Sequence, residues 1–105
     1  MNKVEISFKD KAIIRDSVML FSKKIAMAFV DACEHHDIKI LGIDAFYLYN
    51  DKIQPSSENS IDFSSSQYKL RTKSIFNDAK EFLDLQDKNL VFEIVCGVEN
   101  VSWGN

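Results

Sequence analysis

The chain is poor in the residues that interrupt regular structure. Three of its 105 residues are glycine and one, Pro55, is proline. So few glycines exclude a glycine-rich phosphate-binding loop, which needs several of them within one turn. There are two cysteines, Cys33 and Cys96, and neither belongs to a C-x-x-C pair. Such usage excludes a disulfide framework and fits two buried free thiols in a reducing cytosol. A disulfide between them requires a fold that brings them together. No apolar run approaches the roughly 18 to 20 residues that span a bilayer. The opening "MNKVEISFKDK" has no apolar h-region and no small-residue cleavage site, so a signal peptide is not expected. A basic excess is also lacking. The formal net charge is −3 and the pI about 5.3, which argues against direct nucleic-acid binding. The expected location is cytoplasmic.

What is present suits one globular domain, residues 1–105, with 46% apolar and 28% charged residues. "VEISF" at 4–8 alternates and reads as a short edge strand or as the lead-in to a helix. From about Asp10 to His36 the spacing predicts a helix, because Ile14, Val18, Phe21, Ile25, Phe29 and Ala32 fall on one stripe. Ser7 or Asp10 would cap its start. Met19, Leu20, Met27 and Val30 lie off the stripe and would touch a second neighbour. "IKILGIDAFYLYN", 38–50, is rich in branched and aromatic residues and predicts a central strand. Gly42 within it marks a bulge or a close backbone approach. "NDK" is a turn, followed by a long polar connection. Pro55 there cannot donate to a ladder and implies a loop or an edge. "SIDFS", 60–64, predicts a second short strand. Ser64 to Ser66 would cap a second helix reaching Leu85, with Tyr68, Thr72, Ile75, Phe76, Ala79, Phe82 and Leu83 on one face. Lys73, Asn77, Glu81 and Asp84 would be on the other. "LVFEIVCGV", 90–98, predicts a strand pairing with the first long one, and the tail could extend it through Val101 and Trp103. The fold class is α+β: two amphipathic helices packed on a small antiparallel sheet of three to four strands.

Catalytic constellations are scarce. His35 and His36 in "CEHHD" are adjacent on a helix and do not converge on one ion, and there are no other histidines. They read as a helix C-terminus, where imidazolium is favoured. The serines have no nucleophile elbow and no oriented base. No pair among the sixteen acids stands apart. Phe46, Tyr47 and Tyr49 could stack on bases, but Asp44 and Asp51 beside them would repel a phosphate backbone. The expectation is a non-enzyme that needs no cofactor and no metal.

Charge layout is more informative. Between Asp31 and Phe63 the acids are Asp31, Glu34, Asp37, Asp44, Asp51, Glu58 and Asp62, while the bases are Lys39 and Lys52. An acidic middle with tyrosines suits a surface that meets a basic partner. The segment "LGIDAFYLYNDKIQPSSENSIDFSSS" resembles small bacterial immunity proteins, the antidotes of contact-dependent growth inhibition and related polymorphic toxin systems. The resemblance implies a cytoplasmic protein that binds and neutralises one cognate toxin domain. The partner would be a basic nuclease, a ribonuclease for preference, blocked by electrostatic and steric occlusion. Neither direct nucleic-acid contact nor membrane contact is expected. The interface candidates are Asp44, Tyr47, Tyr49, Asp51, Glu58 and Asp62. Strand alternation sets Asp44 and Tyr47 on opposite faces unless Gly42 or a twist intervenes. The alternative is a cytoplasmic adaptor or regulatory subunit that docks through Met19, Leu20, Met27 and Val30.

Overall fold

The computed structural model describes residues 1–63 and 75–97. Its elements are α1 (Lys3–Phe8), a single 3-10 turn (Lys9–Lys11), β1 (Ile13–Arg15), β2 (Val18–Ser22), α2 (Lys23–His35), β3 (Ile40–Tyr49), β4 (Lys52–Asp62), α3 (Ile75–Asp84) and β5 (Leu90–Cys96). The five strands form one sheet in the order β1-β2-β5-β3-β4, antiparallel throughout. The α+β class and the antiparallel sheet agree with the sequence. Among the described residues there is one more strand than expected at the upper bound, and one more helix.

Both additions come from the first third of the chain. The expected strand or lead-in at 4–8 is a helix, α1. It begins with a reciprocal cap in which the Asn2 side chain accepts from the Glu5 N–H at 2.8 Å and the Glu5 carboxylate accepts from the Asn2 N–H at 2.8 Å. The expected helix from Asp10 to His36 is correct only from Lys23 onward. Its first half is the β1–β2 hairpin, with Ile13 opposite Leu20, Ile14 opposite Met19 and Arg15 opposite Val18. The turn residues Asp16 and Ser17 both have positive φ, 50° and 65°. That is the two-residue geometry whose twist matches the flanking strands. Ile13, Ile14 and Val18 are β-branched and favour strands, so helical spacing and strand alternation coincided here. The cap of α2 is accordingly Ser22, accepting from the Ile25 N–H, and neither Ser7 nor Asp10.

The α2 C-terminus is closed without glycine. Asp37 takes φ 56°, its N–H donates to the Glu34 carbonyl, and the Ile38 N–H donates to the Cys33 carbonyl at 2.8 Å. This is the Schellman arrangement, and the buried Ile38 packs as its apolar follower. The third tight turn, between β3 and β4, has Asn50 at φ 53°. A glycine-poor chain thus bends at Asp, Asn and Ser, three residues whose short polar side chains compete locally for the backbone.

The central strand behaves as its composition predicts. β3 pairs with β4 on one side and β5 on the other. Gly42 is a close approach: a Cβ there would lie 2.9 Å from the Ile61 carbonyl oxygen. The expected long polar connection between β3 and β4 does not exist. The turn is short, and the polar passage is itself the strand β4, with Pro55 opposite Phe46. Proline is accommodated because β4 is the outer strand and has no ladder on its far side. Alpha-helices cover one face of the sheet. The main core joins Phe21, Ile43, Ala45, Phe92 and Ile94 of the sheet to Ala26, Phe29, Val30 and Cys33 of α2 and Ile75, Ala79 and Leu83 of α3. Phe8 completes it, with ring centroids 5.3 Å from Phe29 and 6.2 Å from Phe21. A smaller cluster of Leu20, Phe46 and Val91 lies on the other face. Leu20 and Val30 are both fully buried, so the off-stripe docking face of the adaptor alternative is not available as a set. Ser64 to Ser66, Tyr68, Thr72, Lys73, Val101 and Trp103 lie outside the described residues.

Three substitutions test this backbone account. Ser17→Gly and Asp37→Gly should each stabilise the fold by about 0.5–1 kcal/mol in urea unfolding, since glycine adopts positive φ without steric cost. Gly42→Ala should instead destabilise by about 1–3 kcal/mol, because backbone rather than a flexible side chain must yield.

Candidate functional site

The acidic excess of the middle segment divides into two populations. Asp31 and Glu34 on α2 face α3, where Lys80 Nζ lies 2.9 Å from Asp31 and 3.4 Å from Glu34. The two carboxylates raise the Lys80 pKa, Asp31 foremost through its hydrogen bond. These acids serve helix–helix docking at the surface. Of the others, Asp37 sits in the turn that closes α2, while Asp44, Asp51, Glu58 and Asp62, all the acids among the six interface candidates, lie on the β3–β4 hairpin.

Alternation places them. Phe46 and Val91 face away from the helices, as partners in the smaller cluster. Two residues before Phe46 is Asp44, and two residues after Val91 is Glu93, so both carboxylates point to the same helix-free face. Their Cα atoms are directly paired in the register. A like-charged pair in direct opposition is unfavourable in a sheet. Its effect is visible in Glu93, which is half-buried and has a raised pKa from burial first, then from Asp44, then from Glu5.

The β4 side of Asp44 is built by an irregularity. From Ile43 to Ala45 the chain advances two positions, while the paired residues Ile61 and Ser56 are five apart. Residues 57–60 therefore loop out of the ladder. Ser60 stitches the gap: its hydroxyl accepts from the Ala45 N–H at 2.9 Å and donates to the Ser56 carbonyl at 2.8 Å. Asn59 Nδ2 donates to the Ser56 hydroxyl at 2.8 Å. Glu58 is carried at the exposed crest. Glu93 and Asp44 are thus a register pair, and the looped-out segment that carries Glu58 lies on the β4 side of Asp44. Asp62, exposed and paired with Gly42, flanks them.

The tyrosines are elsewhere. Tyr47 and Tyr49 stand on the helix side of β3, opposite to Asp44, as alternation requires. The irregularity between Ile40 and Gly42 precedes Asp44 and so does not change their relation. They stack on each other with centroids 6.2 Å apart and are 37% and 56% exposed. Asp51 is exposed in the turn just beyond them. The six candidates therefore form two groups on the same hairpin: Asp44, Glu58 and Asp62 around the Asp44–Glu93 pair, and Tyr47, Tyr49 and Asp51 toward its tip. Glu93 escaped the sequence reading because it lies outside the acid-rich window. The signal was the single acid in each of "GIDAF" and "VFEIV", which come opposite once those strands are paired.

Other chemistry is sparse. His35 and His36 are exposed at the end of α2 and contact each other edge to face at 5.0 Å between centroids. Among the described residues no three His, Cys, Asp or Glu side chains gather as metal ligands. Among them also, no helix is long and apolar enough to cross a membrane. A depression of about 410 Å³ lies at the start of α2, lined by Ser22, Lys23, Lys24, Met27 and Lys88. Lys23 is already committed there, donating to the Asp84 and Gln86 carbonyls at 2.6 and 2.9 Å. No protein-family model matches the chain, and no curated protein is a significant match to it.

The Asp44–Glu93 opposition has a definite pH signature. A carboxyl whose folded pKa is raised destabilises the ionised protein above that pKa, and the cost vanishes below the ordinary value of 4.5. Glu93→Gln should therefore raise stability at pH 7, by less than about 1 kcal/mol after allowing for solvent screening. The gain should fade as the pH falls and be absent below 4.5. Denaturation at a series of pH values reads this directly.

Proposed function

We propose that this chain is an immunity protein: a non-catalytic cytoplasmic inhibitor that binds the basic active-site surface of a cognate toxin domain, a nuclease and for preference a ribonuclease. The observation that supports this most is the direct opposition of Asp44 and Glu93 on the helix-free face, with the exposed Glu58 in the looped-out segment next to Asp44. A fold gains nothing by setting Asp44 against Glu93 and adding Glu58 on a looped-out crest beside them. An arrangement that costs stability when alone becomes favourable once lysine or arginine side chains of a partner enter between the carboxylates. Nuclease surfaces supply such side chains because their substrate is a polyanion. Opposed charges also speed encounter, which an antidote needs. Tyr47 and Tyr49 add a half-exposed stacked pair that can be buried at low entropic cost. In this reading the β3–β4 hairpin is the inhibitory element, presenting acids on one side and tyrosines near the tip.

The test is co-purification with the product of the adjacent toxin gene. A complex at micromolar concentration or tighter is expected, with the toxin's activity suppressed in it; a toxin that stays fully active, or fails to bind, would sink the proposal. Asp44→Lys combined with Glu58→Lys should weaken binding by about tenfold to a thousandfold, with a flatter salt dependence. The free variant should be at least as stable as the parent, because the lysine introduced in place of Asp44 would face Glu93 across the strands.

A further inference from the structure

The β3–β4 hairpin stands partly clear of the rest of the sheet. The β5 ladder on β3 ends at Tyr47, opposite Leu90. The β4 ladder continues beyond it, pairing Leu48 with Ile53 and Tyr49 with Lys52. The tip thus runs two residue pairs, about 7 Å, past the last β5 pairing. No strand lies on the far side of β4. The hairpin is therefore open at its tip and along the β4 edge, while β5 closes its inner side.

The two faces of this projection differ in chemistry. On the helix-free face Asp44 is exposed, opposite the half-buried Glu93, and the exposed Glu58 lies on its β4 side. On the helix side stand Tyr47 and Tyr49, 37% and 56% exposed, with ring centroids 6.2 Å apart and planes tilted by 29°. Lys52, paired with Tyr49, shares that face. A surface that meets the tyrosines is therefore neutral or acidic rather than basic. Alternation is set by the backbone, so no change of rotamer carries Tyr49 to the acid face. Asp44 and Tyr49 are five residues apart, about 17 Å along the strand. One interface of ordinary size spans that distance.

A flat partner on the helix-free face would engage the acids and leave the tyrosines in water. A flat partner on the helix side would cover the tyrosines and leave Asp44 opposed to Glu93. A strand added to β4 would meet a missing donor at Pro55 and the looped-out residues 57–60. A concave partner satisfies both faces, because the open β4 edge and the tip can enter between two walls.

We propose that the β3–β4 hairpin inserts edge-first into a cleft of the toxin domain. One wall of the cleft carries lysine or arginine side chains that meet Asp44 and Glu58. The other is an apolar or aromatic surface without basic excess, packed on Tyr47 and Tyr49. A layer stacks about 10 Å from a sheet on either side, so the walls stand about 20 Å apart, backbone to backbone. Occlusion then follows from filling the cleft, not from covering its mouth. This inference rests on the reading of the chain as a toxin inhibitor, and adds to it the shape of the partner and the manner of its grip.

The experiment compares the wild-type chain free and bound to the toxin domain encoded beside it, with two side-chain footprints of the same complex. Carbodiimide labelling reads the carboxylates, and hydroxyl-radical oxidation reads the tyrosines. Asp44, Glu58, Tyr47 and Tyr49 should each react at least about fivefold more slowly in the complex, as contacts that exclude water do. In titrations, Tyr49→Ala and Asp44→Ala should each weaken binding by about tenfold or more. The first should keep the parent's salt dependence and the second should flatten it. Protection confined to one face, or a Tyr49→Ala variant that binds like the parent, overturns the insertion and leaves the inhibitor reading standing. Failure to form a complex removes the inhibitor reading, and the insertion with it. The footprints use the wild-type chain, so they decide the matter even if a variant does not fold.

Discussion

The sheet depends on the insertion of its last strand between two hairpins. β1–β2 and β3–β4 are local structures, each closed by a short turn, and neither can bury its apolar face alone. β5 lies between them, pairing Phe92 with Phe21 on one side and with Ala45 on the other. Phe92 is fully buried beneath the helices and Val91 is buried on the opposite face. Until β5 arrives, β2 and β3 have no common partner, and α2 and α3 have no continuous surface to cover. The pairing with β2 links residues about seventy positions apart and that with β3 about fifty, so loop-closure entropy is lost before they are rewarded. The near-continuous apolar run of "LVFEIV" follows from that central place, since Phe92 and Ile94 lie under the helices while Val91 on the other face joins the smaller cluster.

Strands in the interior of the sheet were legible because their composition has one reading. Branched and aromatic residues in "IKILGIDAFYLYN" and "LVFEIVC" leave no helical alternative of similar quality, and their antiparallel partnership follows. The first third was illegible for the converse reason. Ile14, Val18 and Phe21 satisfy a helical stripe, while Ile13, Arg15, Val18 and Leu20 satisfy a hairpin. The choice is made by Asp16 and Ser17 adopting left-handed backbone, with no glycine to announce it. β4 was hidden in another way. A strand containing Pro55 and "SSENS" contradicts local propensity, and it exists because β3 offers a ladder on one side. The individual acids of the site were legible, but their grouping was not. Grouping depends on register, on the looped-out residues 57–60, and on Lys80 pairing with Asp31 and Glu34 on the helix side.

The helix-free face combines two features that a protein concerned only with its own stability would avoid. One is the direct opposition of Asp44 and Glu93. The other is a crest stitched by Ser60 that interrupts the β3–β4 ladder where Asp44 stands. Both raise the density of negative charge at one place while the surrounding core stays close-packed. A fold with a continuous core centred on Phe29 and Phe92 can tolerate that local cost. Recognition surfaces are commonly maintained in this way, with a rigid apolar scaffold beneath charges held apart from their counterparts.

The outer strand β4 also bears on how the molecule behaves among its own copies. An exposed strand edge is a template on which another chain can add a strand, and in a crowded cell such addition leads to polymers. Here the edge is spoiled along its length. Pro55 removes a donor, the crest at residues 57–60 bends the strand out of line, and Lys52, Glu58 and Asp62 place charges on it. A second copy, or an unrelated strand, finds no straight row of backbone groups to pair with. The hairpin can therefore remain at the surface, with its side chains open to a specific partner, without seeding aggregation.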